Sequence, residues 1–175
     1  MKAIKILITV LVLSCLGDVH AQITSSVKNN IEIQDYESIL IKGNKFNEVL
    51  KTNGSKEKIE DLLNEEFNVE QSSLGYGLKR FENDFYKFYF SDEDEDGEYD
   101  LESFEIKKSS IVFKSIVFNI GDSLTSSKFE GFIVTKENDG SKVIVLKDHE
   151  VGATIFVKFD ALTNRIKTIS YSSNN

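Results

Sequence analysis

"ILIKGNKF" (39–46) and "VFNIGDSL" (117–124) decide how this chain is expected to fold. Each runs from an apolar stretch into glycine, then Asn or Asp, then a polar and an apolar residue. Gly43 aligns with Gly121, Asn44 with Asp122, and Phe46 with Leu124. Side chains of Asn and Asp accept hydrogen bonds from the free amides of a helix's first turn, so both positions predict helix starts. Further along, "FYFS" (88–91) matches "VKFD" (157–160), and "LESFEI" (101–106) matches "IKTISY" (166–171). The shared order predicts an internal duplication.

Working outward from the first copy, "NKFNEVLKTNG" (44–54) closes on Gly54, which suits a left-handed residue after a helix. "SKEKIEDLLNEEF" (55–67) starts at Ser55 and places Ile59, Leu62, Leu63 and Phe67 on one helical face. Together they predict a helical hairpin. The second copy offers only a short helix, Asp122 to Phe129. "DFYKFYF" (84–90), "FIVTK" (132–136), "KVIVLK" (142–147) and "TIFVKF" (154–159) are rich in β-branched and aromatic residues and predict strands. The Asp139-Gly140 step inside "ENDGS" (137–141) marks a hairpin turn. The expected fold class is therefore α+β: two related units, 36–108 and 109–175, each a helix or helical hairpin packed on an antiparallel sheet.

This element pattern resembles the β-lactamase-inhibitor-protein-like folds of exported bacterial proteins. The resemblance runs over most of residues 36–171, and its sharpest motif is the Gly-Asn/Asp step at 43–44 and 121–122. It implies binding to another protein rather than catalysis.

The N-terminus predicts export. Lys2 and Lys5 precede the apolar run "ILITVLVL" (6–13), too short to span a bilayer, and "VHA" (19–21) fits a cut before Gln22. Residues 1–21 are read as a signal peptide and 22–35 as a flexible leader. "VLSC" (12–15) offers a second exit, lipidation at Cys15 and anchoring at the cell envelope. The expected location is the periplasm or the medium, with the membrane involved only if Cys15 carries lipid. Cys15 is the only cysteine, so a product starting at Gln22 has neither disulfides nor thiol chemistry.

Charge narrows the partners. The chain carries 21 basic and 29 acidic residues and a net charge of −8. Loss of residues 1–21, with Lys2, Lys5 and Asp18, takes the net charge to −9. Nucleic acid needs clustered Lys and Arg, whereas here they are scattered and only Arg80 and Arg165 are arginines. A protein with a basic surface is the expected partner.

Two candidate sites emerge. "SDEDEDGEYD" (91–100) sets Asp92, Asp94 and Asp96 on alternate positions before Gly97, with Asp100 beyond. That spacing matches the start of a calcium loop. Ser103 stands where such a loop needs a bidentate Glu, and the flanks read as strands. The expectation is a solvated hairpin turn or a weak Ca²⁺ site, with no other cofactor.

The second site is an outer sheet face. Tyr86, Phe88 and Phe90 share the core side with Ile155, Val157 and Phe159, which turns Phe85, Lys87 and Tyr89, with Phe156 and Lys158, to the other side. Aromatic and Lys residues together on a strand's outer face suit partner binding.

Catalysis finds no support in the motifs. His149 is the one histidine after residue 21, and no G-x-S-x-G, H-E-x-x-H or phosphate-binding loop is present. The chain is expected not to be an enzyme. It reads as an exported bacterial binding protein of the inhibitor or immunity type, with a calcium-binding structural or adhesion module as the alternative.

Overall fold

The computed structural model describes residues 28–72, 77–148 and 153–173. The signal-peptide segment 1–21 with Cys15, the leader residues 22–27, and His149 lie outside the described residues.

Strands β1 (Asn30–Ile31), β2 (Leu40–Ile41) and β3 (Asn44–Lys45) come first, with one helical turn, α1 (Ile33–Tyr36), between β1 and β2. Helices α2 (Phe46–Leu50) and α3 (Lys56–Leu63) follow. Then come β4 (Asn68–Ser72), β5 (Gly77–Glu82), β6 (Tyr86–Asp92), β7 (Asp100–Ile106), β8 (Ser110–Phe113) and β9 (Ile116–Asn119). A 3-10 turn at Ser127–Phe129 leads to β10 (Val134–Lys136), β11 (Lys142–Asp148), β12 (Thr154–Phe159) and β13 (Ile166–Ser172).

The expected α+β pair of helix-on-sheet units is overturned. The protein is mostly β, built on one nine-stranded mixed sheet. Its order is β1-β11-β12-β13-β7-β6-β5-β4, with β10 also on β11. The β12–β13 hairpin meets β7 edge to edge, pairing Ile169 with Ile106 and Tyr171 with Phe104. A second sheet, β3-β2-β8-β9, likewise takes strands from both halves. Within 22–35, Asn30 and Ile31 pair in parallel with Lys147 and Asp148, and Ile31 is buried.

The two Gly-Asn/Asp steps share a backbone but do different work. Gly43 and Gly121 both have positive φ, 87° and 91°. Asn44 does not cap α2, whose N-cap is Lys45. Its amide donates instead to Leu62 O at 2.8 Å, and Lys42 Nζ donates to Leu63 O, so this turn satisfies carbonyls orphaned at the end of α3. Asp122 starts no helix either. Its carboxylate accepts from Asn119 N at 2.7 Å and pairs with Lys128, closing the turn behind it. Ser55 does cap α3, accepting from Lys58 N.

The core lies on one side of the large sheet. Phe81, Tyr86, Phe88, Phe90, Phe104, Ile155, Val157 and Phe159 point into it and meet Phe46, Val49, Ile59, Leu63 and Phe67 from the helices. Ile41, Ile111 and Phe118 of the small sheet join the same cluster. Burial of a side chain such as Phe88 contributes about 2–3 kcal/mol. The helices and the small sheet thus form one layer, and the large sheet the other.

Candidate functional site

Among the described residues, no side chain on the opposite face of the large sheet belongs to the core cluster; even Val143, 5% exposed, lies outside it. The two halves lie side by side in that sheet rather than face to face. This second face carries four of the five residues expected to contact a partner, each half-buried. Lys87 pairs with Glu105, Glu105 with Ser170, and Ser170 with Phe156. Lys87 and Phe156 therefore share one row, three strand spacings or about 14 Å apart. Tyr89 stands one row along, opposite Ser103, with Lys87 Nζ 5.2 Å from its ring centroid. Lys158 lies opposite Val143. Phe85 sits off the face, in the turn before β6 and beside Lys108 Nζ.

Much of the charge on this side is already engaged. Lys158 pairs with Glu137 at 2.6 Å and Asp139 at 3.3 Å. Hydrogen bonds from Ser141, aided by Lys158, hold the Asp139 carboxyl down at about 2. Arg80 bridges Glu70 and Glu82 at 3.2 Å each, and Glu82 also takes Lys107 at 2.7 Å. Two shallow depressions meet at Glu70 and Arg80: one of about 570 Å³ reaching Lys108, one of about 210 Å³ reaching Tyr89. The sequence reading missed this part, because β4 has a single apolar residue, Val69, and so no alternation to signal a strand.

The acidic loop brings three of its four candidate ligands together. Carboxylate oxygens of Asp92, Asp94 and Asp96 lie within 4.8 Å of one another. Asp100 is not in that group; it starts β7 opposite Ser91. Hydrogen bonds within the loop shape it: Gly97 N donates to Asp92 and Glu98 N to Asp96.

Tyr99 anchors the loop. Its ring lies under Lys79 Nζ, 3.5 Å from the centroid, and its hydroxyl accepts from Gln71 Nε2 at 3.3 Å. Asn53 Nδ2 donates to Glu98. The work of Tyr99 in the loop is packing. The visible signal was an aromatic residue among carboxylates.

The geometry defines a two-layer, mostly β protein in which, among the described residues, one sheet face adds nothing to the core cluster. No family model, curated protein or solved structure matches the chain.

Proposed function

We propose that the protein is an exported bacterial binding protein whose outer sheet face covers a site on another protein. One observation carries this reading: Tyr89 and Phe156, with Lys87 and Lys158, stand on the sheet face that contributes nothing to the core. Aromatic anchors on a broad, rigid surface are the residues that dominate protein interfaces. The inhibitor or immunity assignment is the narrower form, drawn from the architectural resemblance and the acidic surface. The expected partner presents basic residues, which an acidic protein attracts before contact.

The test compares recovery of proteins from an envelope extract by wild type, by Tyr89→Ala/Phe156→Ala, and by Leu162→Ala. Leu162 is 92% exposed at the β12–β13 turn. A protein retained by wild type and Leu162→Ala but lost with the double variant is the expected result. Equal recovery by all three, or loss with Leu162→Ala alone, overturns the reading.

The Asp92, Asp94, Asp96 cluster favours a second reading, a calcium-stabilised structural or adhesion module. Thermal melts separate it: a calcium-dependent rise that vanishes in Asp94→Ala supports the module, and superimposable melts with calcium and with chelator reject it.

A further inference from the structure

We propose that the outer edge of β4 accepts an extended, basic segment of a partner as an added strand, with its cationic residues reaching the acidic loop. This goes beyond the outer-face reading and does not depend on it.

Among the described residues, strand β4 pairs only with β5 and lies at the end of the large sheet. Its residues Asn68, Val69, Glu70 and Gln71 are exposed. An edge strand leaves a row of backbone donors and acceptors unpaired, and proteins blunt such edges with lysine, proline or bulges. The sequence of β4, NVEQS, has no Lys and no Pro, its one charge, Glu70, is paired with Arg80 at 3.2 Å, and its register with β5 runs from Asn68 to Ser72 without interruption. By contrast, β10 is shorter, and its exposed Lys136 guards it.

The acidic loop stands beside this edge. Gln71 donates to Tyr99, and the other face of the Tyr99 contact is Gly77 on β5. Seven carboxylates fall within residues 92–100, and among the described residues none of them forms an ion pair. Such a concentration of like charge near the exposed edge at Asn68–Gln71 selects a cationic strand and repels an anionic one.

Register refines the motif. Val69 and Gln71 share one side of β4, because side chains alternate along a strand. Val69 is 37% exposed. The residue opposite Val69 is apolar, and the residue two positions along, opposite Gln71, is Lys or Arg aimed at the loop. Main-chain bonds supply affinity, and these two side chains supply selection.

The probe is a blocked peptide, Thr-Val-Thr-Lys-Thr-Lys, titrated into the full chain. Its controls are the same peptide N-methylated at alternate residues, which keeps the charge but removes the strand's donors, and a Glu-for-Lys version. The readouts are affinity and amide exchange. We expect protection at residues 68–72, at least about tenfold weaker binding after N-methylation, and a similar loss in Asp92→Asn/Asp94→Asn/Asp96→Asn. Equal binding of the N-methylated peptide, absence of protection at 68–72, or equal binding of the Glu version overturns the proposal. The peptide controls act on wild-type protein, so a variant that fails to fold does not blunt the test. Because Tyr89 and Phe156 are left intact, the outcome is independent of the outer-face experiment.

Discussion

A Cβ placed on Gly54 would lie 2.8 Å from Cβ of Tyr99, and one placed on Gly77 would lie 2.8 Å from the Tyr99 hydroxyl. The acidic loop is thus wedged against two glycines from two different elements. Gly54 carries a second demand, φ of +61°. Gly54→Ala therefore costs about 2–4 kcal/mol, from left-handed strain plus a clash that a rigid Cβ cannot relieve. Gly77→Ala clashes only with the hydroxyl, so Tyr99→Phe restores part of its stability and none of that lost by Gly54→Ala. Urea unfolding of the single and double variants measures both; equal rescue of the two glycine variants contradicts this packing.

The seam between the halves is aromatic. Phe104 on β7 lies 5.3 Å from Tyr171 on β13, 6.1 Å from Phe88 and 5.9 Å from Phe46, ring centre to ring centre. Phe104→Ala is expected to cost about 3–5 kcal/mol. Because both hairpins share the seam, the unfolding transition should stay single while its midpoint falls. Two resolved transitions in the wild type would mean the halves fold separately.

Burial sets the alkaline limit. It raises the pKa of Tyr36, Tyr86 and Tyr171 above the ordinary value of 10.0, and Asp148 adds to the effect at Tyr36. A raised folded value means the folded state holds these protons more tightly than the unfolded chain. Stability from these groups is whole below pH 10 and falls as pH climbs past it. Phenolate absorbance should show these tyrosines ionising together with loss of structure; their smooth titration in a folded protein at pH 10 contradicts it.

The proposed export would leave a mass signature. Cleavage before Gln22 gives a product lacking cysteine, and lipidation gives one starting at Cys15 with added acyl mass. Mass spectrometry of the protein from its native host is expected to show the Gln22 start. A chain retaining Met1 to Ala21 would refute processing.

What the sequence made legible follows from periodicity. The strands expected at 84–90, 142–147 and 154–159 alternate or run apolar, and strands cover 86–92, 142–148 and 154–159 in the fold, whereas only 134–136 of the run 132–136 is a strand. Ser55 announced its helix because its hydroxyl has one local task. Asn44 and Asp122 misled because the same side chains bond elsewhere, Asn44 to the Leu62 carbonyl at the end of α3 and Asp122 to the Asn119 amide three residues back. The fold class failed on a non-local pairing: nothing in residues 103–106 or 169–172 announces that they will lie side by side. Alternation placed Lys87, Tyr89, Phe156 and Lys158 on one face, but it could not reveal the polar edge strand β4 beside them.

In the proposed complex, the sheet face that carries Tyr89 and Phe156 touches the partner. A photo-crosslinking amino acid put in turn at 89, 156 and 162 in the living host measures this directly. Discrete adducts of one mass from positions 89 and 156, and none from 162, are the result expected. Adducts from 162 alone, or from none of the three, would contradict it.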